Sequence, residues 1–228
     1  LNDLRAQIID LTGKYADIFL KSRPFVTGVT PVPVSGKVLT SPDFQALIDS
    51  SLDGWLTAGR FTADFERALA KFVGARHALF VNSGSSANLV ALSGLTSPKL
   101  GERALKPGDE VITTPHTFVA TTEAIVLAGG TPVFVDIDPD TYLIDVDKIE
   151  QAITPRTRGI LFVDLYGQCP DIDRIRAICT EHNLFMVEDA AQSLGNYFHG
   201  RPVGSFSDIT CTSFNPVKNL GAMGDAGA

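Results

Sequence analysis

The stretch RGILFVDLYGQCPDIDRIRAICTEHNLFMVED, residues 158–189, decides the fold class. It opens with an apolar run, RGILFVDLYG at 158–167, and closes with a second one, LFMVED at 184–189. The intervening DIDRIRAICTEHN predicts a helix. Continuous apolar strands joined by a helix indicate parallel strands that are buried on both faces.

The same alternation extends outward from this unit, starting near residue 77. Four more strands are predicted, namely HALFV (77–81), EVITT (110–114), TPVFVDI (131–137) and DITCTSF (208–214). Helices are predicted between them, at NLVALSGL, ATTEAIVLAGG and VDKIEQAI. The chain therefore predicts an α/β fold, with a mostly parallel central sheet covered by helices on both faces.

The first part of the chain has a different character. Residues 1–21 predict an amphipathic helix. Residues 23–37 contain several prolines and glycines, which predicts an extended connector. A second helix should begin around Ser41 and Pro42 and run to about Asp53. A third, capped by Thr62, should end before Gly74.

The domain prediction follows from this division. Residues 1–40 form an N-terminal helix and connector, and residues 41–228 form the large α/β domain. The chain starts without Met and stops inside a glycine-rich loop, so we expect it to be part of a longer protein whose C-terminal small domain lies outside this sequence.

Composition narrows the classes of partner. The net charge is −7 and no basic run occurs, which argues against nucleic acid or an anionic membrane as the main partner. No apolar stretch approaches the roughly 20 residues that span a bilayer. Cys169, Cys179 and Cys211 are far apart and read as reduced packing thiols, which favours a cytoplasmic protein.

Residues 82–87, NSGSSA, lead into a predicted helix and have the features of an anion site. Gly84 lets the backbone approach a ligand closely, and Ser85 and Ser86 supply hydroxyl groups. A helix N-terminus adds free N–H groups and the positive end of the helix dipole, which suit a phosphate. An ordinary serine N-cap remains the alternative. No P-loop lysine follows and no GxGxxG occurs.

Other predicted strand ends carry side chains suited to a planar, charged ligand. Phe118 could lie against a ring, although core packing also explains it. Asp189 closes an apolar strand, where a carboxylate needs a positive partner, whereas Glu188 should face the other way and be structural or solvated. Gln192 follows Asp189 by three residues, and Ser213 adds a hydroxyl group at the last strand end.

Lys218 lies just past that last strand, beyond Pro216, in a loop rich in glycine. Alone it would be an ordinary surface lysine. The combination predicts a pyridoxal phosphate site. It consists of a phosphate-binding helix start, an aromatic ring for stacking, a buried carboxylate and an isolated lysine. The lysine forms a Schiff base with the cofactor aldehyde, and the carboxylate pairs with the pyridinium nitrogen.

Five motifs, GWLTAG, VNSGSSAN, HTFVAT, VEDAAQS and SFNPVKNLGAMGD, resemble the DegT/StrS family of sugar-nucleotide aminotransferases. The resemblance implies the aspartate-aminotransferase (fold type I) architecture, with Lys218 as the catalytic Schiff-base lysine. The cofactor-binding residues it implies are Gly84, Ser85, Ser86, Phe118, Asp189, Gln192, Ser213 and Lys218. The substrate-binding residues it implies are Thr57, Tyr166 and Gln168, near the sugar.

The resemblance also implies an activity and partners. These are transfer of an amino group from an amino acid, expected to be glutamate, to a nucleotide-linked keto-deoxysugar, through a pyridoxamine phosphate intermediate. It implies a homodimer with a shared active site, and no metal. Such enzymes serve amino-sugar, polysaccharide or glycoside biosynthesis, including lipopolysaccharide O-antigen.

Two alternatives stay open. The N-terminal half is most similar to the 3-dehydratase branch, whose members remove a sugar 3-hydroxyl and carry histidine where this chain has Lys218. A catalytically silent, cofactor-binding regulatory protein is the other alternative. His116 is predicted to be a loop histidine with a polar partner rather than a substitute base, and the other histidines, His77, His182 and His199, to be surface residues.

Overall fold

A five-stranded parallel sheet lies at the centre of residues 66–228 in the computed structural model, which describes residues 1–21, 24–33, 35–36 and 38–228. Its strands, in chain order, are β1 (Glu110–Thr113), β2 (Thr131–Phe134), β3 (Thr157–Val163), β4 (Phe185–Asp189) and β7 (Ile209–Cys211). In space they run β2-β1-β3-β4-β7, and every pairing is parallel. The prediction of a parallel sheet is confirmed.

Helices cover both faces of this sheet. They are α4 (Gly84–Leu95), α5 (Val119–Leu127), α6 (Val146–Ile149) and α7 (Ile172–Glu181). One buried cluster joins α4 and α5 to strand residues such as Val111, Leu161 and Val187. A second joins α6 and α7 to the alternate residues, such as Phe162 and Met186. Successive strand residues point to opposite faces, so neighbours in β4 serve different helices.

Residues 1–65 form a separate compact unit. It holds α1 (Asn2–Phe19), α2 (Ser41–Leu52) and the start of α3 (Arg60–Val73). Arg5 of α1 donates through Nε to Asp49 of α2 at 2.7 Å, and its guanidinium also pairs with Asp53. The compact units divide at residues 65 and 66, whereas the division into domains at residues 40 and 41 stays a prediction.

Two predictions about local structure are wrong. HALFV (77–81) is not a strand, because Val81 makes an isolated antiparallel bridge to Gly227 and residues 77–80 belong to no strand of the described part of the chain. Thr62 does not cap α3, because the helix begins at Arg60 and the Ala63 N–H already donates to the Gly59 carbonyl at 3.1 Å.

Other local predictions hold or shift slightly. Gly74 follows α3 with a φ of +73°, as a helix-ending glycine does. Helix α2 starts at Ser41, capped by Thr40 and Asp43 in a capping box. A short hairpin, β5 (Tyr197–Phe198) and β6 (Arg201–Pro202), is an addition that the sequence did not predict.

The remaining sequence predictions concern the connector, membranes and cysteines. The connector at 23–37 lies partly outside the described residues, and its described part contains no helix or strand. Among the described helices, none is both long and apolar enough to cross a bilayer. All three cysteines are free, and burial raises the pKa of Cys179 to about 12, as expected for a packing thiol.

Candidate active site

The predicted cofactor residues gather at the carboxyl ends of the parallel strands. Asp189 is the last residue of β4, Phe118 precedes α5 after β1, and Ser213 follows β7 by two residues. In open parallel sheets this edge is where ligands bind. Thr57 belongs to the unit of residues 1–65 and remains a prediction.

Asp189 is a buried carboxylate held by neutral hydrogen-bond donors. Its Oδ2 accepts from Asn88 Nδ2 and from Thr121 Oγ1, both at 2.8 Å, and its Oδ1 accepts from the Ala191 N–H at 3.2 Å. Only 4% of the residue is exposed, and among the described residues it takes part in no ion pair. Three neutral donors leave room for one more on a carboxylate, and a buried charge calls for a positive one.

The start of α4 provides an anion-binding surface. Ser83 is the N-cap, and its Oγ accepts from the Ser86 N–H at 3.1 Å. The N–H groups of Gly84 and Ser85 have no acceptor among the described residues, and Ser85 is exposed. These are the orphan donors of a helix N-terminus, which favour a phosphate.

Gly84 and Ser213 are in direct contact at this helix start. A Cβ built on Gly84 would lie 2.5 Å from Ser213 Cβ and 3.0 Å from its Oγ. On the side of residue 84 that faces β7, there is therefore room for a hydrogen atom but not for a side chain. Glycine at this position lets the helix start and the end of β7 meet, so the exposed N–H groups and the Ser213 hydroxyl share one region.

Lys218 lies in a loop that is held by several hydrogen bonds. The Ala222 N–H donates to the Phe214 carbonyl at 2.7 Å, and the Lys218 N–H donates to the Asn215 carbonyl at 2.8 Å. Asn219 Nδ2 donates at 3.0 Å to the carbonyl of Leu194, in the turn that follows Asp189. The half-buried Lys218 amine makes no ion pair or hydrogen bond with the described residues.

The loop after β3 is joined to the turn after β4. The Tyr166 N–H donates to Gln192 Oε1 at 2.7 Å, on a backbone whose φ is +58° at Tyr166. Gln168 Nε2 donates to the Thr141 carbonyl at 3.3 Å. His116 Nε2 lies 3.3 Å from the Tyr166 hydroxyl, so the predicted polar partner of His116 exists. His77, His182 and His199 are exposed, as predicted.

Phe118 is 67% exposed, so the alternative of core packing is wrong for this ring. The predicted role of the ring as a stacking platform stays a prediction. Glu188 faces the opposite side of the sheet from Asp189, as expected, and it is fully buried, which fits the structural alternative and not the solvated one.

Sequence reasoning missed Asn88 and Thr121, the two side chains that hold Asp189. A signal was present for each. Asn88 is a polar residue on the otherwise apolar face of α4, between Ala87 and Ala91, and Thr121 has the same position in α5 beside Ala120. A buried polar side chain in such a setting needs a hydrogen-bond partner across the core.

Comparison with known proteins shows the family of the chain. Residues 39–228 match the model of the DegT/DnrJ/EryC1/StrS aminotransferase family. The lipopolysaccharide biosynthesis protein RfbH of Salmonella typhimurium is 46% identical over 227 residues, which are 100% of this chain and 52% of that protein. The dTDP-4-dehydro-2,6-dideoxy-D-glucose 3-dehydratase of Saccharopolyspora spinosa is 46% identical over 200 residues, 88% of this chain and 43% of that protein.

Among solved structures, the PLP form of the putative sugar aminotransferase Spr1654 from Streptococcus pneumoniae is similar, with 32% identity and a TM-score of 0.76. The match covers 86% of this chain and 52% of that one. The chain thus spans about half the length of the relatives it matches. These likenesses and the parallel sheet confirm the predicted fold type I architecture, and the chain belongs to the DegT/DnrJ/EryC1/StrS aminotransferase family.

Proposed function

We propose that the protein is a pyridoxal-phosphate-dependent aminotransferase. Its substrates would be an amino acid donor, glutamate, and a nucleotide-linked keto-deoxysugar. The observation that carries the proposal is Asp189, a carboxylate 4% exposed, held by neutral donors and lacking a cation among the described residues. A protonated pyridine nitrogen would supply the positive partner that a buried carboxylate needs.

The other predicted residues fit the rest of the cofactor. The free N–H groups at the start of α4 and the hydroxyl groups of Ser85, Ser86 and Ser213 suit a phosphate. The exposed ring of Phe118 suits one face of a pyridine. Gln192 lies in the same turn as Asp189 and would contact the ring oxygen.

Pyridoxal phosphate, when bound, supplies an aldehyde that reacts with amines and a ring that takes up electrons from the substrate carbon. Lys218 would hold that aldehyde covalently and, once displaced, move a proton between the substrate carbon and C4′ of the cofactor. This task requires an uncharged amine. No described carboxylate forms an ion pair with Lys218, so no salt bridge has to be broken before its amine can act.

The test is a single turnover with glutamate, followed through the absorption band of the bound cofactor. Purified full-length protein should take up pyridoxal phosphate and lose the band when glutamate is added. Lys218→Ala should bind the cofactor without forming the covalent band. Lys71→Ala, which removes an exposed lysine of α3, is the matched control and should behave as the wild type. A wild type that cannot be loaded with the cofactor would contradict the proposal.

A 3-dehydratase is the second candidate, favoured by the 46% identity to the dehydratase of Saccharopolyspora spinosa. Incubation with a 4-keto-6-deoxy nucleotide sugar separates the two. Formation of an amino sugar with consumption of glutamate supports transfer. A 3-deoxy product without net amine transfer supports dehydration. We favour transfer because the family resemblance implies histidine at the position of Lys218 in the dehydratases.

The substrate contacts, assembly and location are part of the same proposal. Thr57, Tyr166 and Gln168 would contact the sugar. The active protein would be a homodimer in the cytoplasm, with the site shared between subunits and no metal. An analytical ultracentrifugation run on the full-length protein would test the dimer, and a monomer that turns over glutamate would contradict it.

A further inference from the structure

A pair of carboxyl groups lies buried behind the candidate site. Asp164 directly follows β3, and Glu188 lies in the neighbouring strand β4. Both are fully buried. By alternation along the strands they face α7, on the side of the sheet opposite to Asp189, because Phe162 and Met186, two residues earlier in each strand, belong to the α7 cluster.

Each carboxyl group has one oxygen with a donor and one without. Asp164 Oδ2 accepts from Ser193 Oγ at 2.8 Å, and Glu188 Oε2 accepts from Thr210 Oγ1 at 2.9 Å. Asp164 Oδ1 and Glu188 Oε1 are buried and have no donor among the described residues. The two residues lie on the same face of paired strands, because Glu188 is in register with Phe162 and Asp164 follows Phe162 by two residues. One proton between them would satisfy both oxygens at once.

The charges around the pair favour retention of that proton. Asp164 and Glu188 form no ion pair with a described lysine, arginine or histidine, and the titratable groups that interact with them electrostatically are Asp189, Cys169 and Cys211. Burial, and next the charge of Glu188, raise the pKa of Asp164.

Burial raises the pKa of Glu188 as well. Its charged form is favoured first by the hydrogen bond from Thr210 and next by Asp164. The proton therefore belongs on Asp164, donated to Glu188.

Hydrogen bonds connect the pair to the turn at residues 189–193, which contains Asp189 and Gln192. The Asp164 N–H donates to the Asp189 carbonyl at 3.1 Å. Ser193, which donates to Asp164, closes the turn after β4 through its N–H to the Ala190 carbonyl at 3.1 Å. Gln192 lies in that turn and accepts from Tyr166, two residues after Asp164.

We propose that Asp164 and Glu188 share one proton and act as a positioning pair, which fixes the end of β3 against the 189–193 turn so that Asp189 and Gln192 face the cofactor. The role in positioning the cofactor rests on the proposed function. The shared proton does not, because it is a property of the folded chain alone.

The first test is infrared spectroscopy of the protein without cofactor. The wild type should show the carbonyl stretch of a protonated carboxyl group at neutral pH and above, and Asp164→Asn should abolish it. Asp140→Asn, which changes an exposed carboxylate, is the matched control and should keep the band. If the wild type lacks the band, the shared proton is ruled out, whether or not any variant folds.

The second test is urea unfolding between pH 5 and pH 9. The folded pKa of the pair lies above the unfolded values of about 3.9 and 4.3, so its stabilisation is complete below those values and is lost as the pH rises through the folded pKa. Asp164→Asn should flatten this loss, since an amide donates to Glu188 without titrating. An unchanged slope in Asp164→Asn would overturn the proposal.

The third test addresses positioning, with cofactor affinity as the readout. Asp164→Ala removes the links to both Ser193 and Glu188 and should raise the cofactor Kd about tenfold or more, by analogy with residues that orient metal ligands, where losses are about 10- to 100-fold. Asp164→Asn should restore most of the affinity. Equal losses in both variants would contradict the positioning role. If the infrared, unfolding and affinity results are as expected but glutamate is not turned over, the proposed function is rejected while the proposal for the carboxyl pair holds.

Discussion

The contact between Gly84 and Ser213 gives the sharpest prediction about the phosphate region. An alanine at Gly84 would place its Cβ 2.5 Å from Ser213 Cβ and 3.1 Å from Ser213 Cα. These atoms belong to or adjoin the backbone, so they cannot move aside cheaply. Overpacking of this kind costs about 1–3 kcal/mol, and the helix preference of alanine over glycine returns up to about 1 kcal/mol. We expect Gly84→Ala to lower the free energy of unfolding by about 1–2 kcal/mol.

The same helix contains the matched control. Gly94 is also in α4, is exposed, and has no heavy atom within 4 Å of a built Cβ. Gly94→Ala should therefore stabilise the chain slightly. Urea unfolding of the cofactor-free protein measures both. The double variant Gly84→Ala with Ser213→Gly should lose less stability than the sum of the single changes, because the contact is relieved. Equal stability of Gly84→Ala and Gly94→Ala would refute the reasoning.

Two further predictions concern packing and pH. Gly227→Ala should destabilise the fold at least as strongly as Gly84→Ala, because the added Cβ would lie 2.3 Å from the Ser83 carbonyl oxygen. Thermal unfolding measures this effect, and an unchanged unfolding midpoint would contradict the prediction. Thr154 and, next, Arg156 lower the pKa of the buried Glu110 through hydrogen bonds. That stabilisation is present above the unfolded pKa of about 4.3 and is lost as the pH falls further. Glu110→Gln should be less stable at pH 7 and lose less stability in acid, as measured by urea unfolding from pH 3 to pH 7; an unaltered acid slope would argue against it.

The parallel sheet could be predicted because its strands lie in continuous apolar runs separated by helices. The unit of residues 158–189 is the clearest case, since β3, α7 and β4 appear at the predicted places. The run at 77–81 failed because a strand also needs a neighbour to pair with. Val81 pairs with Gly227, 146 positions along the chain, in an isolated bridge, and such a distant pairing leaves no local signal.

For the candidate site, the sequence predicted residue types at strand ends but not the contacts between them. Asp189 could be predicted as a buried carboxylate from its place at the end of LFMVED. Its partners, Asn88 and Thr121, come from two other elements, 101 and 68 positions away. Their identity depends on how α4 and α5 pack on the sheet, which no local pattern encodes.

Glu188 is a second example of this limit of local sequence patterns. Alternation in β4 correctly placed it opposite to Asp189. Whether that face is solvated or buried depends on α7 and on the neighbouring strand end, where Asp164 lies. A local reading of the sequence therefore could not find the carboxyl pair.

The central claim is that Lys218 is the lysine that holds the cofactor. Its most direct test is borohydride reduction of the full-length protein loaded with pyridoxal phosphate, followed by mass spectrometry of its peptides. We expect a phosphopyridoxyl adduct on Lys218, absent from Lys218→Ala. An adduct confined to another lysine, or none in the loaded wild type, would contradict it.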